Sequence, residues 1–304
     1  MLPERKRTPQ VDADMTPEYQ VAALWIGGRL SYLEQLCLIS FVHAGQHIRL
    51  YTYEDIPNVP PGVEVADASE IMPRSTTVVH KVSGSPAPQA DAFRYRMLAQ
   101  LDRTIWADTD AYCVKPFTTA NGHFHGWETE KTINNGVLGL PQDSETLRLL
   151  IELTSDPYRI PPYLTRVQTS ELEAAAARGE PMHAGEMPWG VWGPKALTHF
   201  LHVTGDVRHS LPPVALYPLH FRDRRLLLRP NWDGSEYITD ETFSIHFYGR
   251  RMRRRLVTHE NGIPRPRSMF GQLLKRHGID PRLAQIPLKP GYPGFGSDDD
   301  DDED

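Results

Sequence analysis

DAFRYRMLAQLDRTIWADTD, residues 91 to 110, decides how the chain is read. Phe93, Met97, Leu98 and Leu101 recur at helical spacing and form the buried stripe of a helix. Thr104 to Ala107 follows as a short apolar strand, which runs out at Asp108-Thr109-Asp110. Two carboxylates at that point make a hard, anionic oxygen site that suits a divalent cation. Such a cation can bridge the oxygens of a diphosphate and neutralise the charge that builds on them when a bond to a sugar breaks. Asp91 and Arg94, at i and i+3, share one helix face, an acid for hydroxyls beside a guanidinium for phosphate. Asp91 is expected in the first turn of its helix, where a carboxylate complements the positive helix end, so capping is its structural alternative. A surface salt bridge is the corresponding alternative for Arg94. An Asp-x-Asp triplet alone decides little in a chain with 39 acidic residues, where a solvated turn explains it equally well.

Outward from this stretch the pattern is strand, helix, strand. Val21 to Ile26 is an apolar run closed by Gly27-Gly28, a buried strand followed by a turn that lets a ligand approach the backbone. Leu30 to Ala44 has helical spacing with Gly45 as a stop, and His47 to Tyr53 alternates as a second strand. After Pro57, Pro60, Pro61 and Gly62, the segment Val63 to Ala66 restarts a strand. Parallel crossover units of this kind imply a layered α/β fold, with ligands collecting at the carboxyl ends of the strands.

Downstream, Phe124 to Trp127 reads as a short strand and Asn134 to Leu140 as a strand entered through a polar turn. Ser144 to Leu153, Thr169 to Arg178 and Lys195 to Val203 read as helices. Met187 to Pro194 offers Trp189 and Trp192 from a glycine- and proline-containing turn, suited to sugar stacking or to the core. Leu211 to Leu228 shows no period. Thr242 to Tyr248 is a late strand carrying His246, followed by RRMRRR at 250 to 255 and a small helix from Met269 to His277.

Composition fits an ordinary globular protein: 304 residues, 39% hydrophobic and 24% charged. The net charge of −6 is carried by the seven consecutive acidic residues from Asp298 to Asp304, without which the body is close to neutral. Cys37 and Cys113 form neither a disulfide framework nor a metal pair and read as buried thiols of a reducing compartment. The first eighteen residues are polar and proline-punctuated, and no run of 18 apolar residues occurs, so neither signal peptide nor membrane anchor is expected. The expected organisation is a disordered segment at 1–18, one domain at 19–256, an extension with a short helix at 257–296 and an acidic disordered tail at 297–304.

Six motifs occur in the order expected of a DxD glycosyltransferase: Trp25-Ile26-Gly27-Gly28, Asp91-x-x-Arg94, Asp108-x-Asp110, Asn134-Asn135-Gly136-Val137, Gly193-Pro194 and His246-Phe247-Tyr248-Gly249. Over about residues 21 to 255 the chain resembles glycosyltransferase family 32, which includes Golgi mannosyl- and galactosyltransferases and bacterial capsule enzymes. The resemblance implies a GT-A-like fold, a Rossmann-like mixed sheet with flanking helices. It also implies a retaining hexosyltransferase of polysaccharide biosynthesis, with a UDP- or GDP-sugar donor and a glycan or lipid-linked acceptor. The absence of an anchor favours a cytoplasmic enzyme.

On that resemblance Asp110 binds the metal, Asp108 holds the metal and the donor ribose, and His246 completes the protein ligands. Trp25, Asp91, Arg94, Asn134, Asn135 and Gly249 hold the donor. Oxygen and imidazole ligation suits Mn²⁺ at least as well as Mg²⁺. His246-Phe247-Tyr248-Gly249 matches a His-Phe-x-Gly motif of some retaining enzymes, but the lysine expected three residues after the glycine corresponds to Met252. Either Arg251 or Arg253 supplies that charge, or the diphosphate contact is lost. A covalent mechanism needs a carboxylate beneath the anomeric carbon, and Glu128, Asp143 and Glu186 are unranked candidates.

The basic hexamer, with five arginines among 250 to 255, reads either as a solvated turn, free or paired with the acidic tail, or as a contact for a polyprenyl-phosphate, a lipid-A-like acceptor or anionic membrane at the inner face, beside the diphosphate or acceptor. No nucleic-acid motif accompanies it. Two other function classes compete: a noncatalytic carbohydrate-binding relative of the same fold, and a haloacid-dehalogenase-type phosphatase. The latter places its motif near the domain start and wants Thr or Val where Tyr112 stands.

Overall fold

The computed structural model describes residues 19–74, 78–81 and 84–287. The expected disorder at 1–18 and 297–304, the end of the extension and part of the segment leading into the Asp91 helix lie outside these residues.

In chain order the elements are β1 (Gln20–Trp25), α1 (Tyr32–His43), β2 (Ile48–Thr52), β3 (Glu64–Asp67), α2 (Ala87–Gln100), β4 (Thr104–Ala107), β5 (Ala111–Cys113), β6 (Phe124–Trp127), β7 (Ile133–Gly139), α3 (Glu145–Ser155), α4 (Arg166–Ala177), α5 (Pro194–Thr204), α6 (Pro213–Leu216), β8 (Ser244–His246), α7 (Gly249–His259) and α8 (Met269–Arg276). Six strands form one mixed sheet in the order β3-β2-β1-β4-β7-β6. The first four are parallel, whereas β7 runs antiparallel to both β4 and β6. The chain is thus mixed α/β with helices flanking a six-stranded sheet, an arrangement compatible with a Rossmann-like fold.

Alternation along the strands decides which helix covers which face. Val21, Ala23, Ile105 and Ala107 pack with Leu38 and Phe41 of α1, while Ala22, Leu24 and Trp106 pack with Phe93 and Met97 of α2 and Leu197 of α5. Successive side chains point to opposite faces, so two apolar sets from one strand require two covering layers. A third cluster joins the outer side of α1, through Tyr32, Leu33 and Leu36, to Met252 and Leu256 of α7 and to Phe270 and Leu273 of α8. The backbone N–H of Tyr32 donates to Ala284 O at 2.7 Å, anchoring the chain beyond α8 to the start of α1.

From β1 the chain winds outward through β2 to β3, then returns to place β4 on the other side of β1. The winding of the chain reverses between the parallel neighbours β1 and β4, and such a switch point opens a crevice at the carboxyl ends of the strands. Trp25-Ile26-Gly27-Gly28 leaves β1 there, and Asp108-Thr109-Asp110 leaves β4.

Two expectations are corrected. The helix bearing Asp91 begins at Ala87, so Asp91 lies beyond the first turn and does not cap it. Pro86 is the N-cap, and Pro88 sits in the first turn, where a missing N–H costs nothing. The arginine hexamer is not a turn but lies within α7, where Met252 and Leu256, at i and i+4, are both fully buried.

Candidate metal centre

The β4–β5 turn holds Asp108 and Asp110, and its geometry is fixed by a second, two-stranded sheet. β5 pairs antiparallel with β8, setting Ala111 opposite His246, and Phe247 N–H donates to Asp110 O at 2.9 Å. This pairing carries His246 from far along the sequence to the triplet. Asp108, Asp110 and His246 each offer a ligand atom within 4.8 Å of the others.

Each member is held from behind. Asp108 Oδ1 accepts from the indole N–H of Trp106 at 2.8 Å and lies 3.2 Å from Arg94 Nη1. Partial burial pushes the Asp108 carboxyl above the ordinary carboxylate range; Arg94 opposes the shift and Asp110 adds to it. Asp110 Oδ2 accepts from Gly249 N–H, the first residue of α7, at 2.6 Å. A Cβ on Gly249 would stand 2.9 Å from that oxygen, so only glycine brings the helix start this close. His246 is stacked on Tyr248 at 4.7 Å between ring centroids. Tyr248 takes φ 52°, a left-handed conformation uncommon for a non-glycine residue, so the segment after β8 accepts backbone strain beside the centre.

Two observations test whether a cation fits these residues. His246 is only 7% exposed, and its Nδ1, 3.7 Å from Asp110 Oδ1, is buried without a hydrogen-bond partner among the described residues. Buried polar atoms are nearly always satisfied, so an orphan ring nitrogen facing a carboxylate asks for a further partner. At Gly136 a Cβ would lie 3.2 Å from each of Asp108 Oδ2, His246 Nε2 and Asn134 Oδ1, so the missing side chain leaves a polar cradle. Two carboxylates and an imidazole are apt ligands for Mn²⁺ or Mg²⁺, and the residues fit such a cation.

Behind the centre lies a buried polar frame. Arg94, 4% exposed, reaches Asp91 Oδ1 at 3.3 Å, Asp108 Oδ1 at 3.2 Å and the carbonyl of Asn135. It is therefore not a surface salt-bridge residue. Asn135 Nδ2 donates to Asp91 Oδ1 at 2.8 Å, and burial raises the Asp91 pKa against the pull of Arg94 and Asn135. Asn134 and Asn135 are not a turn; they lie inside β7. Asn134 accepts from Gly136 N–H at 2.7 Å and donates to Glu128 Oε2 at 3.0 Å.

Trp25 stands on the neighbouring strand end. It is half-buried at the end of β1, with its indole N–H on Gly28 O at 3.0 Å and the Arg253 guanidinium 5.9 Å from its ring. Among the three unranked carboxylates, Glu186 pairs with Lys81 at 2.6 Å and Asp143 is exposed in a loop, whereas Glu128 connects to the centre through Asn134. Met252 is buried in the core, so no charge can stand at its position. Arg253 stands beside Gly249: its Nη1 would be 3.2 Å from a Cβ there, and its Nε donates to the buried Glu34 at 2.9 Å. Trp192 is core, at 2% exposed, and Trp189 is exposed, with Arg250 5.5 Å from its ring.

Sequence reasoning did not single out Trp106, Tyr217 or Tyr248. Tyr217 lines the centre from the other side, accepting from Val137 N–H at 3.0 Å with its ring 5.7 Å from His246. No local pattern marks such residues, because tertiary packing alone makes them neighbours. No family model matches the chain, and no curated protein matches it either.

Proposed function

We propose that the chain is a metal-dependent, retaining glycosyltransferase with a GT-A-like fold, moving a hexose from a UDP- or GDP-sugar to a glycan or lipid-linked acceptor. The observation that carries this reading is the convergence of Asp108, Asp110 and His246 at the carboxyl end of β4, beside the β1–β4 switch point. Nucleotides bind at such switch points in open α/β sheets.

Asp108, Asp110 and His246 would hold Mn²⁺ or Mg²⁺, which supplies charge neutralisation for a leaving diphosphate. Trp106 and Arg94 aim the Asp108 carboxylate, and Gly249 N–H aims Asp110. Trp25, on the neighbouring strand end, offers an aromatic face to the base, with Arg253 alongside it as a cation for the diphosphate. Asp91, Arg94 and Asn135 fix the floor of the donor side. Exposed Trp189, with Arg250 nearby, suits an acceptor sugar and an anionic acceptor group.

The test is a thermal-shift panel of nucleotide sugars with and without Mn²⁺, followed by turnover. A ligand bound by the folded state alone raises its melting temperature. The expected result is a Mn²⁺-dependent shift for one UDP- or GDP-sugar and release of the nucleoside diphosphate. Binding without turnover by any acceptor would favour a noncatalytic relative, and no Mn²⁺-dependent binding at all would overturn the reading.

A further inference from the structure

We propose that His123, Asp206 and His209 form a second metal site, specific for a zinc-class divalent ion and separate from the Asp108 centre. His123 stands just before β6; Asp206 and His209 lie on the 3₁₀ turn 206–209 that follows α5. Gly205, at φ 81°, turns the chain sharply enough to bring that 3₁₀ segment back against the β6 strand. The three side chains offer ligand atoms within 4.8 Å of one another.

An independent observation marks the place. Among the described residues, His123 Nδ1 is buried without a hydrogen-bond partner, and so is Nε2 of the adjoining His125, which is fully buried. The His123 and His209 rings are nearly parallel, 4.3 Å between centroids, and the His123 and His125 centroids are 5.8 Å apart.

The carboxylate is positioned as a ligand would be. Asp206 Oδ2 accepts from the Thr146 hydroxyl of α3 at 2.8 Å, an outer contact that fixes its orientation. Its other oxygen lies 3.8 Å from the exposed Arg208 guanidinium, a loose pair of little energetic weight. Asn121 Nδ2, 3.3 Å from His209 Nδ1, claims one nitrogen of that ring with a long contact and leaves the other. Two imidazole nitrogens with one carboxylate oxygen are the ligands zinc prefers, whereas the oxygen-rich Asp108 centre suits manganese. Bound there, the ion would tie the β6 entry to the end of α5 and, through Thr146, to α3.

The experiment is isothermal titration of the full chain with Zn²⁺ in an Asp110→Ala background, which disables the other centre, with thermal unfolding in parallel. One equivalent of Zn²⁺ is expected to bind and raise the melting temperature. His123→Ala and, independently, the more conservative His209→Gln should each weaken that binding at least tenfold, with Mn²⁺ binding by the otherwise native chain unchanged. Absence of Zn²⁺ binding in the Asp110→Ala background would overturn the proposal, as would binding that neither histidine substitution alters. Because Mn²⁺ binding at Asp108 and Asp110 is read separately, failure here leaves the glycosyltransferase reading intact, and the reverse holds.

Discussion

Gly136 tests the metal centre more selectively than a ligand substitution does. Its backbone conformation suits any residue, but an added methyl enters the cradle between Asp108 Oδ2, His246 Nε2 and Asn134 Oδ1, 3.2 Å from each. Gly136→Ala is therefore expected to weaken Mn²⁺ binding at least tenfold while leaving the far-ultraviolet circular dichroism of the native chain unchanged. A Mn²⁺-dependent thermal shift equal to that of the wild type would sink the assignment. Asp110→Ala removes a ligand outright, so its loss should exceed the roughly 10–100-fold that removal of an outer partner costs. His246→Ala should raise the Mn²⁺ midpoint for donor turnover. Simple core packing predicts otherwise: lost stability with an unchanged midpoint.

At the level of elements, α2 and β7 carry the frame that aims Asp108, and this is where the sequence reading and the structure part. Asp108 and Asp110 were legible because a short apolar strand ending in two acids is a local pattern. The partnership of His246 is set by β5–β8 pairing, which no local spacing encodes, and only the resemblance pointed to it. The start of α2 was misplaced because Pro86 and Pro88 read as a lead-in, although proline is at home in a first helical turn. A later helix start is what makes capping an alternative for Asp91, whose side chain is instead buried against Arg94 and Asn135. In α7 a dense run of arginine hid an i, i+4 pair, Met252 and Leu256, that seats the helix. A prediction follows for Arg94. Its guanidinium serves Asp91, Asp108 and the Asn135 carbonyl together, a fork that an ammonium cannot reproduce. Arg94→Lys should lower Mn²⁺ affinity by about 10–100-fold. Arg94→Ala, which leaves the buried Asp91 uncompensated, should cost about 3 kcal/mol of stability in urea unfolding. A lysine variant with native Mn²⁺ affinity would show that Arg94 serves the fold alone.

Across the whole molecule, the seam between α1 and α8 is the place where pH should act on stability. Tyr112 of β5 lies 2.9 Å, oxygen to nitrogen, from His277 Nε2, and His277 Nδ1 lies 2.7 Å from His43 Nδ1 at the end of α1. A neutral His277 satisfies both contacts, accepting from the Tyr112 hydroxyl and donating to His43. A protonated one can no longer accept from Tyr112 and faces neighbouring cations. Burial, then the charges of His43 and Arg276, bring the His277 pKa down to about 4. In the unfolded chain it titrates near ~6.5. Between those values the unfolded state binds more protons, so stability falls as pH falls through this window and levels off below it. The ceiling is about 1.4 kcal/mol per pH unit, and solvent contact at this partly exposed ring makes the realised slope smaller. His277→Gln removes the titration but keeps a polar side chain. Urea midpoints of wild type and variant should therefore differ most at about pH 7 and converge toward about pH 4.5, because only the wild type carries the proton penalty. A gap that stays constant across that range would mean His277 is neutral to folding, and the acid sensitivity of the seam would have to come from elsewhere.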